Sequence, residues 1–303
     1  MSPFEYIEPA TLEEALDALA RYGDEAKLIA GGTGLVNLMK QRLVQPAYLI
    51  GLRRLGRTEG LAEIGQIDQT GPTGSAQAVR LGALCTHRAL EASPLVRTAV
   101  PVLAETFERV ASIRIRSVAT LGGALAHADP NQDPPPSLMV LDARVGLRSS
   151  HGQREVGIEE FFVDYYETVL EPDEMVTAVI VPRPPANSGA SFLKFLPQTQ
   201  DDYATVAVAA RLTLDADRIV QARVALGAAG ATPLRANAVE AALQGQPPTP
   251  TVIRDAAALV AEAVDPSDDF RGSADYKRDM AVVFVQRALD HALGRARAGR
   301  EQE

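Results

Sequence analysis

The sequence predicts an α+β protein, on three observations. In its first half, short apolar runs such as Lys27–Ala30 and Tyr48–Leu52 alternate with capped helical patterns. From Ser191 onward, three strand-like runs (Ser191–Leu196, Ala204–Leu214 and Arg218–Leu226) precede three helical ones (Leu234–Leu243, Val252–Val264 and about Asp275–Leu293). Between the halves lies Pro182-Arg-Pro-Pro-Ala-Asn-Ser-Gly189, a composition shift that reads as a domain boundary. A chain of 303 residues is expected to form about two domains.

Composition narrows the function classes. The chain is 46% hydrophobic and 23% charged, as in an ordinary soluble protein. Its net charge of −9 argues against a nucleic-acid partner. No apolar run reaches the roughly 18 residues of a membrane span. The start, MSPFEYIEPATLEEAL, has no signal-peptide pattern. A single cysteine, Cys85, excludes an internal disulfide and a cysteine-ligated iron–sulfur cluster, and its apolar setting reads as a packed, inert thiol. Together these features point to a cytoplasmic protein.

In chain order, Thr11 is the expected N-cap of a helix to Tyr22, with Glu14 completing a capping box. Leu35–Gln41 carries a one-sided apolar pattern. Leu61–Ile67 and Gln77–Leu84 form a hairpin around a polar turn, Asp68–Ser75. Thr86 caps a helix through Leu90, with His87 at its surface, and Pro94–Arg109 makes a longer helix. Pro134-Pro135-Pro136 blocks a helix until Ser137 opens the apolar Leu138–Leu141. Ala143–Arg148, Arg154–Gly157 and Met175–Val181 read as strands, and the charged tail Gly294–Glu303 as frayed.

Two glycine-rich stretches stand out: Ala30-Gly-Gly-Thr-Gly34, between a strand and a helix, and Thr120-Leu-Gly-Gly123. Glycine lets backbone approach a ligand, and successive N–H groups in such a turn can hold an anion. Two such turns would grip a diphosphate from two sides; either is also compatible with a plain tight turn. Neither has the spacing of a Rossmann fingerprint or a P-loop. Beyond the second stretch, Asp129 and Asp133 are either turn formers or ligand contacts.

These motifs, with Lys40, Ile115-Arg-Ser-Val-Ala-Thr-Leu-Gly-Gly123, Ala128-Asp-Pro130 and Asp268–Lys277, occur in one order that resembles the FAD-binding medium subunits of the molybdenum hydroxylases. This is the xanthine dehydrogenase-like family, and the likeness is to its carbon monoxide dehydrogenase type. The resemblance implies a PCMH-type FAD-binding fold of two α/β subdomains (1–55 and 56–185) and a C-terminal three-stranded sheet with helices (190–295). It implies that Ala30, Gly31, Gly32, Thr33, Gly34 and Leu35 hold the pyrophosphate, joined by Thr120, Gly123 and Ala124. Asp129 and Asp133 match polar cofactor contacts, and Val176 an apolar contact to the flavin. Lys194 matches a cation at the flavin's pyrimidine edge, and Tyr203 a residue flanking the ring. The chain departs from the family pattern at Gly34, where an acidic or hydroxyl residue is usual, and at Ala124 and Ser117, where Asn is usual.

The implied function is electron relay. FAD on this chain would take electrons from a small [2Fe-2S] subunit, fed by a large molybdopterin subunit, and pass them to an external acceptor. The assembly would be a dimer of heterotrimers. Two alternatives are a stand-alone flavin oxidoreductase and a flavin-free assembly subunit. No residues of the chain itself form a metal-ligand cluster or a nucleophile–base set; its four histidines, at 87, 127, 151 and 291, are scattered.

Overall fold

The computed structural model describes residues 1–57, 60–71, 74–196, 199 and 202–300. The chain opens with β1 (Glu5–Ile7), α1 (Leu12–Tyr22), β2 (Ala26–Ile29), α2 (Leu35–Lys40) and β3 (Tyr48–Gly51). These strands form a parallel sheet in the order β1-β3-β2. Thr11 caps α1 as its type and position predict, its hydroxyl accepting from the Glu14 N–H. Glu14 in turn accepts from the Ala10 N–H at 2.7 Å, one residue before the cap itself. The spacing of Leu12, Ala15, Leu16 and Leu19 puts them on one face, and all four are buried.

Next come β4 (Ile64–Gly71) and β5 (Gly74–Gly82), paired along their whole length to Gly71 opposite Gly74. Most of the expected Asp68–Ser75 turn is therefore strand, and its centre lies outside the described residues. Helices α3 (His87–Ala92), α4 (Pro94–Ala99) and α5 (Pro101–Glu108) follow. The single helix expected over Pro94–Arg109 is thus two, because Pro101 pushes Val100 out of helical geometry. Next are α6 (Ile113–Arg116), α7 (Leu121–His127) and α8 (Pro134–Val140). The three prolines do not block a helix; they open α8, where a missing N–H costs nothing.

The five-stranded antiparallel sheet, in the order β4-β5-β10-β6-β7, is completed by β6 (Arg144–Ser149), β7 (Gly152–Gly157) and β10 (Met175–Pro182). Between β7 and β10 lie α9 (Ile158–Phe161) and the small pair β8 (Phe162–Asp164) and β9 (Glu167–Thr168).

The remainder holds β11 (Ser188–Phe195), β12 (Val206–Asp215), β13 (Arg218–Gly227) and β14 (Leu234–Arg235), then α10 (Asn237–Leu243), α11 (Pro250–Ala258) and α12 (Ala274–Arg300). The meander expected here gains a short fourth strand, β14, where a helix start was expected. Through Arg300 the tail is helical rather than frayed, and residues 301–303 lie outside the described residues. Buried Ala288, Ala292 and Ala296 carry the apolar stripe to the helix end. Gly189 of β11 admits that stripe, since a Cβ there would lie 2.2 Å from the Ala292 carbonyl oxygen.

The chain divides into two compact units. One comprises 1–96, 112–128 and 143–182, and the other 97–111, 129–142 and 183–303. In the first, α1 packs over Ala26, Ile50, Leu52 and Leu55. In the second, β12, β13, α10, α11 and α12 share a continuous aliphatic core. No helix among the described residues is long and apolar enough to cross a membrane.

Candidate functional site

In the first unit the two glycine stretches lie against each other. A Cβ on Gly31 would fall 2.0 Å from the Val118 carbonyl oxygen, inside the loop that leads to Thr120. Gly32 has φ +71, a left-handed conformation that glycine adopts without penalty. Beyond it, the Val36 N–H closes the first turn of α2 onto the Gly32 carbonyl at 3.1 Å. Thr33, Gly34 and Leu35 occupy the helix start, where N–H groups have no intrahelical acceptor. The Asn37 side chain braces this turn by donating to the Thr33 carbonyl at 3.0 Å.

The second stretch is built differently. Gly122 and Gly123 are not a turn but the first turn of α7. Its leading N–H groups are taken by the protein: Leu121 donates to the Cys85 carbonyl at 3.0 Å, Gly122 to Ala83 at 2.7 Å, and Gly123 to the Thr120 hydroxyl at 3.2 Å. Ala124 donates to the Thr120 carbonyl at 2.9 Å. What this stretch can offer a ligand is the Thr120 hydroxyl proton and a surface free of side chains at Gly123. Donors for an anion therefore come from the first stretch.

The second stretch also rests on a buried histidine. His87 is 3% exposed, not a surface cap residue, and its backbone N–H donates to the Ala119 carbonyl at 3.0 Å. Burial pushes its imidazole down to about 4, opposed by a hydrogen bond to the Thr120 backbone. Nearby, Arg116 bonds buried Glu91 at 2.9 Å, so it is a structural partner rather than a solvated charge. Cys85 is buried with its thiol pushed up to about 11 by desolvation, the inert thiol expected. Val176 is buried on β10 opposite Leu147.

The second unit holds the polar residues. Asp133 and Lys194 form a buried ion pair at 2.8 Å, and the ammonium also donates to the Arg109 carbonyl at 3.1 Å. Lys194 is therefore not a solvated strand residue. Burial raises the Asp133 carboxyl to about 6, against the pull of Lys194. Its second oxygen, Oδ1, is buried and has no partner among the described residues. Asp129, also buried, accepts from the Asn131 N–H at 2.9 Å. Tyr203 is exposed, with the Arg271 guanidinium 5.8 Å from its ring centre.

Each unit carries groups that suit part of a dinucleotide. In the first, the Gly31–Leu35 segment presents backbone at a helix start, which suits a phosphate; in the second, Asp133 Oδ1 is an acceptor that a ligand hydroxyl or ring N–H would satisfy. Among the described residues no cluster could hold a metal ion. Two features had no local signal in the sequence: the depth of His87, and the His127 ring that fills the space beside Gly34.

Comparison with known proteins gives the context. Residues 2–184 match the family model of the FAD binding domain in molybdopterin dehydrogenase, and 191–292 that of the CO dehydrogenase flavoprotein C-terminal domain. The chain is 33% identical over 294 residues to the carbon monoxide dehydrogenase medium chain of Afipia carboxidovorans, covering 97% of this chain and 98% of that one. It is 34% identical over 299 residues to the 6-hydroxypseudooxynicotine dehydrogenase complex subunit alpha of Paenarthrobacter nicotinovorans, covering 98% and 97%. Its fold superposes with a TM-score of 0.90 on a chain of the carbon monoxide dehydrogenase structure from Hydrogenophaga pseudoflava, at 34% identity over 97% of this chain and 99% of that one.

Proposed function

The chain belongs to the family of FAD-binding subunits of molybdopterin-dependent dehydrogenases, and on that premise we propose that it is the electron-transfer subunit of a heterotrimeric molybdenum hydroxylase. Its cofactor is FAD, and it is an oxidoreductase subunit. The single observation that carries the proposal is similarity over 97% of this chain and 98% of a carbon monoxide dehydrogenase medium chain. The proposed partners are a large molybdopterin subunit, where substrate is oxidised, and a small [2Fe-2S] subunit. They would assemble as a cytoplasmic dimer of heterotrimers that delivers electrons to an external acceptor.

Bound FAD supplies chemistry in steps of one or two electrons. The chain's own residues hold and insulate. In this reading Ala30, Gly31, Gly32, Thr33, Gly34 and Leu35 bind the diphosphate through backbone N–H groups and the helix start. Thr120 donates its hydroxyl proton, Gly123 and Ala124 leave room for close approach, and Val176 supplies apolar surface. Asp129 and Asp133 accept from hydroxyl or ring N–H groups. Lys194 orients Asp133 so that Oδ1 stays free for that purpose. Because Asp133 stands 2.8 Å from the Lys194 ammonium, the two charges largely cancel while the carboxyl is ionised. Tyr203 provides an exposed aromatic cover.

The test is direct. Acid denaturation of the purified chain is expected to release one FAD, leaving none on the polypeptide, and the chain is expected to copurify with its two partners. Recovery of FMN, of covalently held flavin, or of an aldehyde- or heterocycle-oxidising chain free of partners contradicts the proposal.

A further inference from the structure

The His127 ring lies against the first glycine stretch. A Cβ on Gly34 would meet its Nε2 at 2.7 Å, Cδ2 at 2.8 Å and Cε1 at 3.0 Å. The imidazole thus occupies the volume that a side chain at position 34 would need. The ring is held from behind: it tilts onto Tyr166 with centroids 5.2 Å apart, and the Tyr166 N–H donates to the Ala128 carbonyl at 3.2 Å. Ala128 and Tyr166 both have left-handed backbones, at φ +50 and +57. At Ala128 this is the left-handed C-cap that ends α7. Both residues flank one imidazole.

We infer that His127 supplies a side-chain contact to the diphosphate of the bound dinucleotide, from the position that Gly34 leaves open. An imidazole N–H is a donor in either charge state, and a phosphate oxygen is a strong acceptor for it. Gly34 and His127 then act as one device: the missing side chain at 34 admits the ring. The inference rests on the FAD reading above.

The experiment titrates the flavin-stripped full-length chain with FAD, and separately with ADP, which carries the diphosphate without the flavin. His127→Ala is expected to weaken both ligands about tenfold, equivalent to about 1.4 kcal/mol. Gly34→Ser is expected to abolish tight binding in the wild-type background, where it strikes the ring. In His127→Ala the added Ser is expected to bring affinity back to within about threefold of wild type, roughly 0.7 kcal/mol. Should His127→Ala fail to fold, His127→Leu keeps the packing on Tyr166 without a donor and carries the same expectation. Wild-type affinity in His127→Ala or His127→Leu overturns the inference, as does an effect of Gly34→Ser that is equal in both backgrounds. A loss for FAD but not for ADP moves His127 to the flavin and overturns the diphosphate assignment. Failure of the wild-type chain to bind FAD at all overturns the FAD reading instead.

Discussion

The two glycine stretches have nearly the same composition and are built in opposite ways. At Gly31–Gly34 the backbone takes one left-handed residue and runs into a short helix whose start has no side-chain cap. At Gly122–Gly123 every leading N–H is matched to a protein oxygen, on Ala83, Cys85 or Thr120. In the proposed reading the first stretch is the binding surface and the second the wall it stands on. A glycine pair thus states that backbone comes close to something, and only tertiary structure states whether that is ligand or protein.

Substitutions can break this comparison, beginning with the largest effect. Gly31→Ala places a Cβ 2.0 Å from backbone that cannot yield. Its expected cost is about 3 kcal/mol or more, with loss of bound FAD, read as thermal stability and flavin content. His87 comes next, because its neutral ring supports the Ala119–Thr120 backbone. With its folded value lowered to about 4, the unfolded chain takes up a proton below its ordinary 6.5 that the folded chain refuses. Its contribution is present above 6.5 and is lost as pH falls towards 4, up to about 3 kcal/mol. Asp133 acts with the opposite sign, its carboxyl raised from 3.8 to about 6, so its contribution falls as pH rises through that window. The difference between wild type and His87→Met in chemical denaturation isolates the histidine. A pH-independent difference places His87 in solvent and undoes the picture of a supported wall.

Gly122→Ala would put a Cβ 2.6 Å from that of Ala83 and strain the Gly122–Ala83 hydrogen bond, for about 2 kcal/mol. The smallest effects separate the two stretches most finely. Gly32→Ala is expected to cost about 1 kcal/mol, chiefly through φ +71, with the side-chain carbons of Ile29 and Val36 at 3.3 Å having only to give slightly. Thr120→Val removes the α7 cap for about 1 kcal/mol and is expected to weaken FAD as well. Unchanged FAD affinity in Thr120→Val leaves the second stretch with no ligand contact through that hydroxyl.

What could be read from the sequence was local. The caps at Thr11 and Thr86 follow from residue type and spacing, and both hydroxyls accept the bonds expected of them. The meander of β11, β12 and β13 follows from apolar alternation. The errors came where a distant partner decides. Prolines at 134–136 look like helix breakers until they are recognised as a first turn. The charged tail looks frayed because its buried alanines are small and carry little hydrophobic signal. His87 looks exposed because nothing in its neighbours shows that Thr120 lies over it. In the candidate site, the glycines and Asp133 stood out as chemistry, and their order carried the family resemblance. The Asp133–Lys194 pair and the contact between His127 and Gly34 join residues far apart in the chain, which no spacing rule connects.

The central claim is that this chain relays electrons and oxidises no organic substrate itself. The most direct measurement mixes the FAD-loaded full-length chain anaerobically with the chemically reduced small [2Fe-2S] subunit and follows the visible absorbance of the flavin. The account predicts that the flavin bleaches, and that candidate substrates added without the molybdopterin subunit leave it oxidised. A flavin that stays oxidised beside the reduced clusters, or that bleaches with substrate alone, contradicts it.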